Sequence, residues 1–409
     1  MPANSQQNSL RPRLWVVSEL FYPEQTSTGY FLTRIAEGLA GDFEVHAVCG
    51  RPSYSERGLK VPRHEYYHGI EIHRLAGTAF DKDRLFLRMI NFLSFSISLL
   101  LFALRRFGRN DRVLVVTNPP LAPAIIAFAS WLKGARSTLL VHDVYPDIAA
   151  AAGILSRNSL PYRLADRFFS FVLDRYQKIV VLGRDMQEVV GAKLSGRADR
   201  VAIIPNWGDT DEIAPIRHDD NPFRTEHGFD GKFVVQFSGN IGRSHDVEMI
   251  LEAANLLADE ERIVFAFIGY GGKTALVSDA AHQNQGNIVF LPRQPREKLA
   301  EMLASSDVTI IPFVDGMYGL SVPSRMYNVM ASGTPILASA DPRSELALTV
   351  TEGNAGWVLE QRDGPGLAAL LRRISETQDS SRKGHDARRH VENNYTFEKI
   401  VERFRAILR

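Results

Sequence analysis

Phe233-Val234-Val235-Gln236-Phe237-Ser238-Gly239-Asn240-Ile241-Gly242-Arg243-Ser244-His245-Asp246 is an apolar run that breaks into a glycine-containing turn just before an amphipathic stretch, Val247–Leu257. Read as strand, turn and helix, it is one βα unit. The run suits a strand covered on both faces, and Asp246 stands where a helix cap belongs. Two glycines let the backbone approach an anion with no Cβ in the way, and Arg243 and His245 add positive charge.

The unit repeats in both directions. Downstream, apolar runs recur at Val264–Ile268, Ile288–Leu291, Val308–Pro312, Pro335–Ala338 and Trp357–Leu359, with helical patterns at Arg296–Ala304, Ser324–Ala331 and Pro365–Glu376. Upstream they stand at Leu14–Glu19, Glu44–Cys49, Ile70–Leu75, Val113–Thr117, Thr138–His142, Ile179–Leu182 and Val201–Pro205, with helical patterns at Tyr30–Leu39, Ala122–Leu132, Arg163–Tyr176 and Met186–Leu194. Between the two series, Asn206–Asp230 is rich in Asp, Pro, Asn and His and has no apolar period, as a linker would. The expected fold class is α/β, with two Rossmann-like doubly wound domains facing across a cleft. The expected boundaries are a disordered tail at 1–12, a first domain at 13–206, a linker at 207–230 and a second domain at 231–390. A C-terminal helix within 391–409 is expected to pack back on the first domain.

Whole-chain numbers narrow the function. The chain has 409 residues and a formal net charge of +1, so no global field points to nucleic acid. Its one cysteine, Cys49, permits neither an internal disulfide nor a Cys-based zinc site and suits a reducing compartment. The polar start Met1–Arg11 lacks the apolar stretch of a signal peptide, so a cytoplasmic location is expected.

In doubly wound sheets, ligands bind where strands end and helices begin. Ile268-Gly269-Tyr270-Gly271-Gly272-Lys273 is a second glycine-rich junction, but it is not G-x-G-x-x-G, and no acidic ribose partner follows at the spacing of a nicotinamide site. The strongest junction is Gly319-Leu320-Ser321-Val322-Pro323-Ser324-Arg325, leading to Met330-Ala331-Ser332-Gly333-Thr334-Pro335. Pro323 and Ser324 start a helix that Gly333 stops, so free amides, the Ser324 hydroxyl and the Arg325 guanidinium can converge on a phosphate.

One long apolar run remains, Met89–Leu104, with Arg84 and Arg88 before it and Arg105, Arg106 and Arg109 after it. Two readings stand for 84–109: a core helix of the first domain, or an interfacial helix against anionic lipid on the inner face of the cytoplasmic membrane.

Taken together, these junctions resemble those of the family-four retaining glycosyltransferases of the GT-B fold. The resemblance rests on Phe21-Tyr22-Pro23, Val141-His142-Asp143, Ile204-Pro205-Asn206, Ser238-Gly239-Asn240, Phe267-Ile268-Gly269 and Met330-Ala331-Ser332-Gly333-Thr334-Pro335. Pro323-Ser324-Arg325 is similar to the branch that builds capsule, O-antigen and colanic-acid-type polysaccharides. The resemblance implies a nucleotide-diphosphate sugar donor in the second domain and a saccharide or polyprenyl-diphosphate-linked acceptor at the first. It also implies retention at the anomeric carbon, no cofactor and no metal. On it, His142 and Arg325 are the catalytic residues, and Gly29, Gly239, Asn240, Arg243, Gly269, Ser324 and Asn328 bind the donor. Thr28-Gly29 is expected to lie under the diphosphate.

The sequence departs from the family at named positions. Two glutamates usual before the Met-Ala-x-Gly segment fall at Leu320 and Asn328 here, with Asp315 the nearby carboxylate. The usual Arg and Lys of the first phosphate turn fall at Asn240 and His245, where Arg243 is the compensating cation. Two rival readings are a nucleotide-sugar epimerase of the same fold and a non-catalytic nucleotide-sugar binding protein.

Overall fold

The computed structural model describes residues 11–52, 59–78, 80, 85–283, 286–377 and 379–409. The expected tail at 1–12 falls largely outside them, as does Arg84.

Eight strands form the first sheet: β1 (Arg13–Val17), β2 (Glu44–Cys49), β3 (His64–Tyr67), β4 (Ile70–Arg74), β5 (Arg112–Val116), β6 (Arg136–Val141), β7 (Lys178–Val181) and β8 (Val201–Ile203). Their order is β3-β4-β2-β1-β5-β6-β7-β8, and only β3 runs antiparallel to its neighbour. The second sheet is wholly parallel, with β9 (Phe233–Asn240), β10 (Ile263–Tyr270), β11 (Ile288–Leu291), β12 (Val308–Pro312), β13 (Ile336–Ser339) and β14 (Gly356–Val358) in the order β11-β10-β9-β12-β13-β14. Both sheets reverse direction of growth once, beside β1 and β5 in the first and beside β9 and β12 in the second. That is where doubly wound folds open a crevice. The central strands are buried on both faces, as Leu14–Val17, Val113–Val116 and Val308–Pro312 show.

The glycine junctions differ from expectation. Ser238–Asn240 and Gly269–Tyr270 are not turns but the last residues of β9 and β10, still paired in register. Gly269 sits opposite Gly239 with φ +150, and a Cβ there would lie 1.9 Å from the Gly239 carbonyl oxygen. The missing side chains let the two strands run on into the cleft.

The segment after β8 is packed rather than loose. Trp207, Ile213, Phe223 and Phe229 are buried, and Pro222–Glu226 is a short helix. The final helix, Phe397–Leu408, lies against helix Ser27–Leu39 of the first sheet's unit, with Val401 fitted against Gly38. Arg405 Nε donates to Asp42 at 2.6 Å and Arg112 donates to the Leu408 carbonyl at 2.9 Å. The two chain crossings touch: the Gly208 amide donates to the Tyr395 carbonyl at 3.0 Å. Helix Asp379–Asn394 gave no sequence signal because Gly384, Ala387 and Val391, its buried residues, are small or isolated.

Helix Leu85–Arg106 extends the apolar run at both ends. Phe95, Leu99 and Ala103 bury one face against the first sheet, so the core reading holds there. Leu93, Ile97 and Leu101 stay exposed on another face. Among the described residues, no helix is long and apolar enough to cross a membrane.

Gly269→Ala is expected to lower stability by roughly 3 kcal/mol, because it adds both a backbone clash and a forbidden φ. Urea unfolding checks it; an unchanged midpoint would contradict the strand pairing described.

Candidate active site

The carboxyl ends of both sheets frame one cleft of about 960 Å³. Its first-domain wall comes from Gln25–Thr28 after β1, Pro120 after β5, and His142 and Asp143 after β6. Its second-domain wall comes from the ends of β9 and β10, from Arg293–Arg296 after β11, and from Ser321–Arg325 beyond β12. The cleft is strongly cationic in its lining. Among the described residues, Arg243, Arg293, Arg296 and Arg325 line it against a single carboxylate, Asp143.

Two helices begin at its centre. Thr26 caps helix Ser27–Leu39 by accepting from the Gly29 amide, and helix Arg325–Ala331 starts after Ser324. Ser324 does not cap its own helix. Its hydroxyl instead meets that of Ser27 at 2.7 Å, across the two domains. The positive ends of both helix dipoles therefore point at one spot.

Arg325 stands beside that spot. Its guanidinium donates to the Ser238 carbonyl at 2.7 Å and to His245 Nε2 at 2.8 Å, and stacks over Phe237 at 4.8 Å. No carboxylate pairs with it among the described residues, and burial pushes its pKa down to about 10. Burial, with Arg325 and Lys273 nearby, holds the His245 imidazole well below its usual range, so it is neutral and accepts from Arg325. A partly buried cation whose hydrogen-bond partners are neutral acceptors is left with uncompensated charge towards the cleft.

His142 Nδ1 lies 3.4 Å from the Thr28 hydroxyl, and both the His142 and Asp143 amides donate to Thr117 Oγ1. Burial pushes the His142 pKa down to about 4, leaving a neutral ring at the cleft wall. Burial raises the Asp143 pKa, against a hydrogen bond from Ser321. The neighbouring Val144 amide donates to the Leu320 carbonyl at 3.0 Å, which ties the two walls together.

The structure brings most of the expected residues together. His142, Gly239, Asn240, Arg243, Gly269, Ser324 and Arg325 all line the cleft. Gly29 is absent from the lining: its amide is taken by Thr26, and a Cβ would meet the Glu24 carbonyl at 2.7 Å, so it shapes the turn from behind. Asn328 is also set back from the lining, where its Oδ1 accepts from the Asp209 amide at 3.0 Å. Leu320 turns its side chain into the core. Asp315 is 95% exposed, paired with Arg362 at 2.8 Å, and lies outside the cleft lining, so it does not replace the missing glutamate.

Sequence reading missed three features of the site. Asp143 was visible only as the neighbour of His142. Ser27 carried no signal, since a serine at a helix start is common. Asp209 joins both domains, accepting from the Tyr30 hydroxyl at 2.5 Å and from Arg296 at 3.0 Å, yet it sits in a segment with no apolar period.

Comparison with known proteins bears on the whole chain. Residues 219–394 match the family Glycosyl transferases group 1, and residues 28–207 match the Glycosyl transferase 4-like domain. The chain is 33% identical to the probable glycosyltransferase WbjE of Pseudomonas aeruginosa, over 97% of this chain and 98% of WbjE. It is 27% identical to the putative colanic acid biosynthesis glycosyl transferase WcaI of Escherichia coli K12, over 80% of this chain and 83% of WcaI. Among solved structures, Anabaena HepE in complex with UDP and glucose superposes with a TM-score of 0.73 at 14% identity, covering 97% of this chain and 99% of HepE. WaaG, a glycosyltransferase involved in lipopolysaccharide biosynthesis, does so at 0.72 and 14%, with the same coverage.

The pKa of His142 yields a pH test. Its ordinary value is 6.5, and the folded chain holds it near 4. Between those values the unfolded chain binds the proton and the folded chain does not, so stability falls as pH drops through the window. His142→Gln should show a shallower loss over that range than the unsubstituted chain, measured by urea midpoints. Superimposable curves would mean that the ring is not desolvated.

Proposed function

The chain belongs to the GT-B glycosyltransferases of polysaccharide biosynthesis, and from that membership we propose that it moves a sugar from a nucleotide-diphosphate donor to a lipid-diphosphate-linked saccharide, with retention and without a metal in the reaction. The observation that carries the donor is Arg325, a desolvated guanidinium with no carboxylate, beside the point where two helix N-termini meet. A diphosphate supplies the missing negative charge. HepE, which shares the fold, binds UDP.

As the bond from sugar to phosphate breaks, positive charge grows on the sugar and negative charge on the leaving diphosphate. Arg325, Arg243 and the amides at Ser27 and Ser324 stabilise the second of these, which is where fixed dipoles do most. The acceptor hydroxyl bonds to the anomeric carbon and its proton passes to the departing phosphate oxygen. His142, neutral at working pH, hydrogen-bonds the transferred sugar rather than carrying charge. Asp143, the cleft's only carboxylate among the described residues, faces the growing cation. An epimerase would need an acid and a base flanking the sugar, and among the described residues no second carboxylate lines this cleft.

The acceptor side supports a lipid carrier. Helices Leu85–Arg106, Ala122–Lys133 and Leu160–Leu173 lie side by side. They leave Leu93, Ile97, Phe128, Trp131, Leu164 and Phe171 exposed, Trp131 by 76%. Arg105, Arg163, Arg167 and Arg175 are exposed on the same helices or just beyond them. Ile154 is exposed beside this face and also lines the cleft, together with Pro120, Ile148 and Ala152. Exposed apolar and basic side chains on these helices, with apolar residues at the cleft wall, suit a peripheral enzyme on an anionic leaflet.

Incubation with UDP-, GDP- and dTDP-sugars and a membrane-lipid extract should release nucleoside diphosphate from one donor, only with the lipid present. Arg325→Ala should lower that rate by about 100-fold or more; equal release without lipid would remove the transfer reading. Phe128→Glu combined with Trp131→Glu should weaken sedimentation with anionic-lipid vesicles by at least about tenfold. Undiminished sedimentation would take the membrane face away from these helices.

A further inference from the structure

At the edge of the first sheet, away from the cleft lining, three histidines and a glutamate converge from three strands. His46 on β2, Glu71 and His73 on β4 and His64 on β3 share one face, because β4 alternates and β3 pairs His64 with His73. Trp15 stacks on His46 at 4.5 Å, and Phe102 of helix Leu85–Arg106 closes over His73 at 5.3 Å. The His46 and His73 side chains are 8% and 11% exposed.

The spacing of the heavy atoms makes this cluster unusual. His46 Nε2 lies 3.2 Å from the Glu44 carboxylate, and in the tautomer protonated at Nε2 the Nδ1 atom carries a lone pair. That lone pair faces Glu71 Oε2 at 3.2 Å and His73 Nε2 at 3.4 Å. His73 Nε2 is in turn 3.4 Å from Glu71 Oε1. One ligand atom from each of His46, Glu71 and His73 thus lies within 4.8 Å of the other two, close enough to share one cation. The edges of a tetrahedral site with bonds of about 2.05 Å are about 3.3 Å, close to the contacts of 3.2 Å and 3.4 Å found here. A carboxylate behind a histidine, as Glu44 stands behind His46, is the arrangement that orients a metal ligand.

We propose that His46 Nδ1, His73 Nε2 and Glu71 bind a divalent transition-metal ion, zinc foremost, with His64 as the fourth group. His64 Nε2 stands 2.6 Å from Glu71 Oε1 and its side chain is 48% exposed, on the side from which an ion enters. None of the four lines the cleft, so the ion is structural. It clamps the edge strand β3 onto β2 and β4, beneath the helix that carries the exposed apolar face.

The test uses the full chain, stripped with a chelator and then titrated with Co²⁺. The expected result is one equivalent bound with the intense visible bands of four-coordinate cobalt, displaced by Zn²⁺. Glu71→Gln and His73→Ala should abolish the bands, and Glu44→Gln should weaken binding by about tenfold. Saturating Zn²⁺ should raise the Tm of the unsubstituted chain by roughly 5 °C and leave that of His73→Ala unchanged. Only the weak spectrum of six-coordinate cobalt on the folded, unsubstituted chain would overturn the proposal. So would bands that survive in a folded His46→Ala/His73→Ala double variant. If the variants fail to fold, the spectrum of the unsubstituted chain decides alone.

Discussion

Keeping a guanidinium out of water without a carboxylate beside it is costly, and the second domain is built to do so. Arg325 is held by a carbonyl, a neutral histidine and an aromatic face, all of which fix its direction without cancelling its charge. Much of the local architecture serves that end. Gly239 supplies the positive φ of +117 at the strand end, Gly269 removes the side chain that would strike the Gly239 carbonyl, and Phe237 floors the guanidinium. The short helix that begins with Arg325 fixes its backbone at the crevice. A carboxylate at His245 would make a comfortable salt bridge and leave the cleft with little reason to take up an anion.

The first domain adds geometry more than charge. Its helix start, Thr26–Thr28, approaches Ser324, and its strand end presents a neutral histidine and one carboxylate. The two walls are joined away from the reacting spot by Val144 to Leu320 and by Arg184 to the buried Glu345, where the Arg184 amide and guanidinium both donate to one carboxylate. The ligand therefore meets two surfaces already in register. Of the four arginines lining the space between them, Arg293, Arg296 and Arg325 are held by internal hydrogen bonds.

How much of this could be read from the sequence depends on the range of the physics involved. Alternating apolar runs and helical stripes are local, so the two doubly wound sheets were legible. So was the helix start at Pro323-Ser324-Arg325, although Ser324 turns its hydroxyl to Ser27 instead of capping the helix. The place of Asn328, set back from the cleft lining, was not legible because its partner, the Asp209 amide, lies 119 positions away. Asp315 looked close to the site in sequence, yet Arg362 holds it outside the cleft lining. The glycines of β9 and β10 read as turns because a strand that needs glycine for contact with its neighbour looks, in one dimension, like a strand that stops. The histidine cluster was invisible for the same reason: its members become neighbours only when β3 folds against β4.

The chain passes between the two domains twice, once after β8 and once before the last helix, and the crossings are bonded to each other through Gly208 and Tyr395. A single tether would let the halves swivel freely, as on a ball joint. Two tethers pinned side by side behave like a door hinge, with one easy axis and strong resistance to twist. Tyr30, Asp209 and Arg296 sit where the bolt of such a door would be, one on each leaf and one on the jamb. Any swing about that axis that parts Ser27 from Ser324 has to break the bonds of Asp209 to Tyr30 and Arg296 first.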